Sequence, residues 1–134
     1  MDDCVFCKII KGELPCYKIY EDDMTLAFLD ISRDADGHTL VIPKKHFKSV
    51  IDCDREYLEA VIRTVQKVGQ HYLTCGYEGF NILNANDKSA EQSIFHLHIH
   101  IIPRKTGDNI KGYPTLNGAT YTLEDMHKFL KMEK

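Results

Sequence analysis

The sequence predicts an α+β domain: a mainly antiparallel five-stranded sheet with one long helix and short terminal helices. Three observations carry this. Five short runs have strand composition and are bounded by charged, Gly or Pro residues; one segment of some twenty residues repeats its apolar positions at three- and four-residue intervals; and the strand and helix signals do not alternate as a parallel sheet would require. The 134 residues, 43% hydrophobic and 28% charged, make one domain over 1–134, without room for a second independent core. No repeat, low-complexity run or long Pro/Gly/Ser linker divides them.

Residues 5–11, stopped by Gly12 and followed by Pro15, read as a short helix. The runs 18–21, 25–30 and 39–42 read as strands, with Asp22-Asp23 as the turn between the first two. Over 54–75, Tyr57, Leu58, Val61, Ile62, Val65, Val68 and Tyr72 form the stripe of an amphipathic helix that Gly76 ends. Residues 80–83 and 94–102 complete the strands, Pro103 closing the second. The Gly/Asn/Thr-rich stretch 106–121 reads as loop, and Thr122-Leu-Glu-Asp125 is the capping pattern of a short terminal helix.

Seventeen basic and twenty acidic residues give a net charge of −3, which argues against non-specific binding to nucleic acid or to an anionic membrane. The start, Met1-Asp2-Asp3-Cys4, is acidic and lacks a basic leader with an apolar stretch; no apolar run approaches the ~20 residues that cross a bilayer. Five cysteines at uneven spacing suit a reducing compartment better than a disulfide framework, and the cytoplasm is the expected location. Neither a Walker A pattern nor Gly-x-Gly-x-x-Gly is present, and no acidic cluster is set for catalytic magnesium.

The chemistry lies in two patterns. In His96-Leu97-His98-Ile99-His100, alternation along a strand places three imidazoles on one face, ~6.5–7 Å apart at the backbone. That is close enough for two to bind one ion, or for one to act while another positions it. In Cys4-x-x-Cys7, two thiolates reach one ion from a tight turn; the spacing also occurs in thioredoxin-type redox pairs, which sit beside a βαβ unit not seen here.

His96-Leu-His-Ile-His-Ile-Ile102 resembles the signature of the histidine triad (HIT) family. Further segments follow in family order: Cys4-Val-Phe-Cys-Lys-Ile-Ile-Lys-Gly-Glu-Leu-Pro15, Glu21-Asp-Asp23, Ala27-Phe-Leu-Asp-Ile31, Gly37-His-Thr-Leu-Val-Ile-Pro-Lys-Lys-His46 and Gln92-Ser-Ile-Phe-His96. The resemblance covers roughly residues 4–104 and leaves the last thirty uninformative. It implies a HIT-like fold and a nucleotide hydrolase or transferase of the Hint-like kind. This activity cleaves at the α-phosphate of a nucleoside 5′-phosphoramidate or related purine nucleotide and releases the monophosphate.

By resemblance, His98 is the nucleophile that forms a nucleotidyl-histidine, with His100 and His38 in support. Asp30 accepts hydrogen bonds from the ribose, and Phe6, Ile9, Phe28, Leu29 and Ile31 form the base-and-ribose wall. Asn84, Gln92 and Ser93 contact phosphate and leaving group. Cys4, Cys7, His46 and His96 match the structural zinc ligands of zinc-containing members; no organic cofactor is implied. A homodimer is implied too, and the stripe Tyr57, Val61, Val65, Val68, Tyr72 has two uses the sequence does not separate, a surface between two subunits or this chain's own core. One departure stands out: Glu91 precedes Gln92 where the family usually has Gly, putting a carboxylate beside an anionic substrate. The alternatives are a dinucleoside polyphosphate hydrolase, a nucleotide-binding regulator with little turnover, and a Cys₂His₂ nucleic-acid module. The last is disfavoured by net charge and by ligands spread from Cys4 to His96.

Overall fold

A computed structural model describes residues 3–112 and 114–132; the acidic Met1-Asp2 start, Tyr113 of the expected loop and residues 133–134 lie outside it. The elements are α1 (Val5–Ile10), β1 (Lys18–Glu21), β2 (Thr25–Leu29), β3 (Thr39–Pro43), α2 (Arg55–Thr74), β4 (Gly79–Leu83), β5 (Ile99–Arg104) and α3 (Leu123–Leu130), with a 3₁₀ turn at Lys88–Ala90. The strands form one antiparallel sheet in the order β1-β2-β3-β5-β4. The expected fold class is the observed one.

Alternation assigns the sheet's two faces. Ala27, Val41, Ile99 and Ile101 meet Val61, Val65, Val68 and Tyr72 of α2, while Leu26, Phe28, Leu40 and Ile42 pack with Phe6, Ile9 and Ile10 of α1 on the opposite face. His100 pairs with Leu40 in register, so its imidazole belongs to the α1 face. Buried hydroxyls tie α2 to the sheet: Thr25 Oγ1 lies 2.7 Å from Thr64 Oγ1, and Thr39 Oγ1 lies 2.6 Å from the Tyr72 hydroxyl. Gly69 costs α2 about 1 kcal/mol of helix propensity. A Cβ there would stand 2.3 Å from the Phe80 ring, so glycine lets β4 approach.

Two expectations need correction, and one choice the sequence left open is decided. The histidine strand begins at Ile99, not at residue 94. The His96 carbonyl accepts from the His98 ring and the His98 carbonyl from Asn84 Nδ2, while the Leu97 amide donates to the Phe47 carbonyl. Local partners therefore replace the ladder over 96–98. The strand also runs through Pro103 to Arg104. The β3 pairing ends at Ile101, so Pro103 faces only β4, and its missing N–H costs no bond on the other side. Finally, Val61, Val65, Val68 and Tyr72 are buried in this chain's own core, where each contributes about 1.5–3 kcal/mol; they are not available to a partner subunit. Tyr57 is half-buried and packs on Phe47.

Beyond β5, Asp108 folds the chain back. Its carboxylate accepts from Arg104 Nε and Nη2 at 2.9 and 3.0 Å and from the Lys105 and Ile110 amides. Arg104, in turn, reaches Asn81 of β4 and the Ile110 carbonyl. Within the expected loop 106–121 no described residue is in a helix or strand; α3, capped by Thr122 Oγ1 accepting from the Asp125 amide at 3.1 Å, buries none of its residues.

Candidate active site and metal cluster

The segment 96–100 serves two clusters. His96 joins Cys4, Cys7 and His46 around one point. Cys4 caps α1, its Sγ accepting from the Cys7 amide at 3.4 Å, which turns both thiols to the same side. His96 Nδ1 lies 3.5 Å from Cys4 Sγ and 3.6 Å from Cys7 Sγ, and His46 Nδ1 lies 3.3 Å from Cys7 Sγ. Tetrahedral zinc separates sulfur and nitrogen ligands by about 3.6 Å. These three separations are those of tetrahedral ligation, and all four donor atoms lie within 4.8 Å of one another.

Protonation fits as well. Burial pushes the His96 pKa down to about 4, so the ring is neutral, and its Nε2 donates to the Pro43 carbonyl at 3.0 Å. A carbonyl only accepts, so the Nδ1 lone pair is left for the cluster. Burial, reinforced by Cys4, pushes the Cys7 thiol up to about 11. A bound cation would offset that rise and make the Cys7 thiol a thiolate near neutral pH.

The second cluster contains His98, His100, His38 and Asp30. The His98 ring is buried, with Nδ1 donating to the His96 carbonyl at 2.8 Å, so its lone pair is on Nε2. Desolvation lowers its pKa from the ordinary value, which keeps the nitrogen unprotonated and nucleophilic. His98 and His100 have ring centroids 4.9 Å apart, and the edge of Phe6 packs 5.2 Å from His98. Gly37, at φ +78, turns the chain into His38; a Cβ there would stand 3.0 Å from Pro103 Cγ.

His38 Nε2 lies 2.9 Å from His100 Nδ1 and 3.7 Å from Asp30 Oδ2, while His38 Nδ1 lies 2.6 Å from Asp34 Oδ1. The carboxylate of Asp34 must accept, so His38 carries its proton on Nδ1 and accepts from His100 through Nε2. Burial, with His98 and His38 adding, pushes the His100 pKa down to about 4. Asp34 was not legible as a site residue. An acid four positions before a histidine in a polar loop is a common pattern, and only the fold shows that the two side chains meet.

Two cavities meet at these rings. One, about 410 Å³, is lined by Phe6, Ile9, Phe28, Leu29, Asp30, Ile31, Ser93, His98 and His100, joined by Leu14, Cys16 and Ile94. Every residue expected for the base-and-ribose wall lines it. The other, about 810 Å³, is lined by His38, His100, Asn84 and Glu91 together with Asp34, Lys111 and Pro114. His100 borders both. Gln92 lines neither: Oε1 accepts from the Asp87 amide at 2.8 Å, and Nε2 donates to the Lys48 and Ile94 carbonyls at 2.7 and 3.0 Å. Its side-chain amide is spent on loop structure, away from both cavities. Asn84 lines the larger cavity and also holds the backbone of His98 through the 3.0 Å bond to its carbonyl.

The chain belongs to the HIT family, since the family's HIT domain matches residues 11–107. It is 45% identical over 124 residues to an adenylylsulfatase of Arabidopsis thaliana, covering 92% of this chain and 63% of that protein. It is 42% identical over 101 residues to an adenosine 5′-monophosphoramidase of Schizosaccharomyces pombe, covering 75% of this chain and 74% of that protein. A zinc-bound histidine triad family protein of Mycobacterium smegmatis superposes with a TM-score of 0.79 at 35% identity, covering 87% of this chain and 85% of that one.

Proposed function

We propose that this chain is a nucleotide hydrolase or transferase acting at the α-phosphate of a nucleoside 5′-phosphoramidate or related purine nucleotide through a nucleotidyl-His98 intermediate. The observation that carries it is the His98 tautomer: Nε2 holds an unprotonated lone pair in a buried ring at the edge of the smaller cavity. In this reading the base enters between Phe6, Ile9 and Phe28, Asp30 accepts from the ribose hydroxyls, and the α-phosphorus sits against Nε2. His98 Nε2 bonds to phosphorus as the phosphorus–nitrogen bond breaks; the leaving amine takes one proton from cleft water on the His100 side, and the water that attacks in the second step returns that proton to solvent. Water then cleaves the phosphorus–His98 bond, releasing nucleoside monophosphate and restoring the ring. The Arabidopsis and fission-yeast relatives, named for adenylylsulfatase and phosphoramidase activities, support the substrate class.

Cys4, Cys7, His46 and His96 would hold a structural zinc, supported by the donor spacing and by the zinc-bound mycobacterial relative. That ion would tie the start of α1 to the segment carrying His98. The proposal takes residues 1–134 as one domain in a reducing cytoplasm, without nucleic-acid or membrane partners; no described helix is long and apolar enough to cross a membrane. A homodimer would draw on what this chain leaves exposed, such as Ile62 of α2 and Ile82 of the edge strand β4.

The 810 Å³ cavity favours a second reading, in which the leaving group is a nucleotide and the substrate a dinucleoside polyphosphate. Asp34 and Glu91 in its lining, opposed by Lys111, weigh against a highly charged leaving group. Intact-mass spectrometry after an acid-free quench, with adenosine or guanosine 5′-phosphoramidate, tests the main reading. An adduct of one nucleoside monophosphate on wild type but not on His98→Ala, with free monophosphate accumulating, is expected. Binding without any product would reject the enzyme reading in favour of a nucleotide-binding regulator.

A further inference from the structure

We propose that the cleft contains a second transition-metal site, on Asp30, His38 and His100, and that a divalent ion such as zinc seated there blocks turnover. The three ligand atoms lie within 4.8 Å of one another. Two of their separations are 2.9 Å (His38 Nε2 to His100 Nδ1) and 3.7 Å (His38 Nε2 to Asp30 Oδ2). Nitrogen and oxygen ligands on a tetrahedral ion stand about 3.3 Å apart, so these two separations need shifts of a few tenths of an ångström, and the third, within 4.8 Å, closes by at most about 1.5 Å. Two imidazoles and one carboxylate suit zinc, cobalt or nickel rather than magnesium or calcium.

The surroundings are those of a metal site rather than of a chance cluster. A ligating histidine commonly gives its other N–H to a carboxylate, and His38 Nδ1 already donates to Asp34 Oδ1 at 2.6 Å. The Asp30 carboxylate is itself oriented, Oδ1 accepting from the Ser32 amide at 2.9 Å. His38 is buried, while His100 borders both cavities, leaving an open fourth position. On binding, the His100 proton moves from Nδ1 to Nε2, freeing Nδ1 for the ion without net loss of a proton. The ion then holds both supporting imidazoles and occupies the junction between the cavities.

The blocking effect rests on the proposed hydrolase reading; the site itself does not. Wild-type protein, dialysed and assayed for bound metal, is titrated with Co²⁺ by calorimetry and metal counting. One equivalent per chain is expected beyond the cysteine cluster. Cys4→Ser/Cys7→Ser should keep that equivalent, Asp30→Asn and His38→Gln should lose it, and Asp34→Asn should weaken it by about 10–100-fold. Thermal unfolding and retained cysteine-bound metal check that the variants fold. Binding of one equivalent only, abolished by the cysteine substitutions, overturns the site, as does a second equivalent that survives Asp30→Asn and His38→Gln. Phosphoramidate hydrolysis should fall with the same midpoint as occupancy, and full turnover at saturation overturns the block. A protein that counts two ions but never hydrolyses the substrate keeps the site and rejects the hydrolase reading.

Discussion

His96 and His98 stand two residues apart, yet their protons sit on opposite ring nitrogens. His96 gives Nε2–H to the Pro43 carbonyl and turns Nδ1 to two thiols; His98 gives Nδ1–H to the His96 carbonyl and keeps Nε2 for the cleft. The residue type is the same and burial is similar, so backbone carbonyls decide which ring nitrogen each histidine turns to its own cluster. The comparison also explains why the strand starts late. A regular ladder through 96–98 would claim the carbonyl that fixes His98.

The largest break in this comparison is His98→Ala. Turnover should fall on the order of 10⁴-fold, as for removal of a covalent nucleophile, while zinc content and nucleotide affinity persist. Steady-state kinetics with metal analysis and binding calorimetry read all three. The complementary break is Cys4→Ser/Cys7→Ser. Zinc should be absent, and the loss of about 3 kcal/mol should lower Tm by roughly 10 °C in scanning calorimetry. Its kcat should fall far less than that of His98→Ala. Equal losses would mean the two clusters act as one.

The sheet and the long helix were legible because they rest on local signals: period-two and period-3.6 apolar spacing, and Gly or Pro stops. Phe6, Ile9, Phe28 and Leu29 could be placed together only through the family resemblance, since α1 and β2 meet by folding. What stayed hidden depends on side chains that displace backbone pairing. Asn84 on the His98 carbonyl shortens β5, and Gln92 spends its amide on Lys48 and Ile94. Asp34 was hidden for the same reason, because its role is defined by a 2.6 Å contact in a loop without periodicity.

His100 sharpens the comparison through pH. Its folded-state pKa of about 4 lies below the 6.5 of an ordinary histidine, so the unfolded chain takes up the proton first as pH falls. Stability is full above about pH 6.5 and is lost towards pH 4; discounting for partial solvent access leaves about 2 kcal/mol from this ring. Urea unfolding at pH 7 and pH 4.5 should show His100→Gln losing less stability than wild type by that amount. Parallel losses would mean that His100 does not carry the acid sensitivity, and that buried His96 is the ring to examine.

Glu91→Gly is the smallest effect and probes the turn that leads into the histidine segment and lines the larger cavity. Glu91 sits at φ 70 and ψ 27, a left-handed conformation that costs a side chain about 1 kcal/mol and glycine almost nothing. The loop is held independently by the Glu91 amide on the Lys88 carbonyl at 2.9 Å and by Gln92 Oε1 on the Asp87 amide. Glycine therefore keeps the geometry, and after its greater unfolded-state entropy a gain of about 0.5 kcal/mol remains, or about 2 °C in Tm. The same change removes a carboxylate from the larger cavity, so KM for a substrate with an anionic leaving group should fall severalfold while that for a neutral amine changes little. A uniform change across leaving groups would assign Glu91 to loop shape alone, and the metal content of the cysteine cluster should not move in either case.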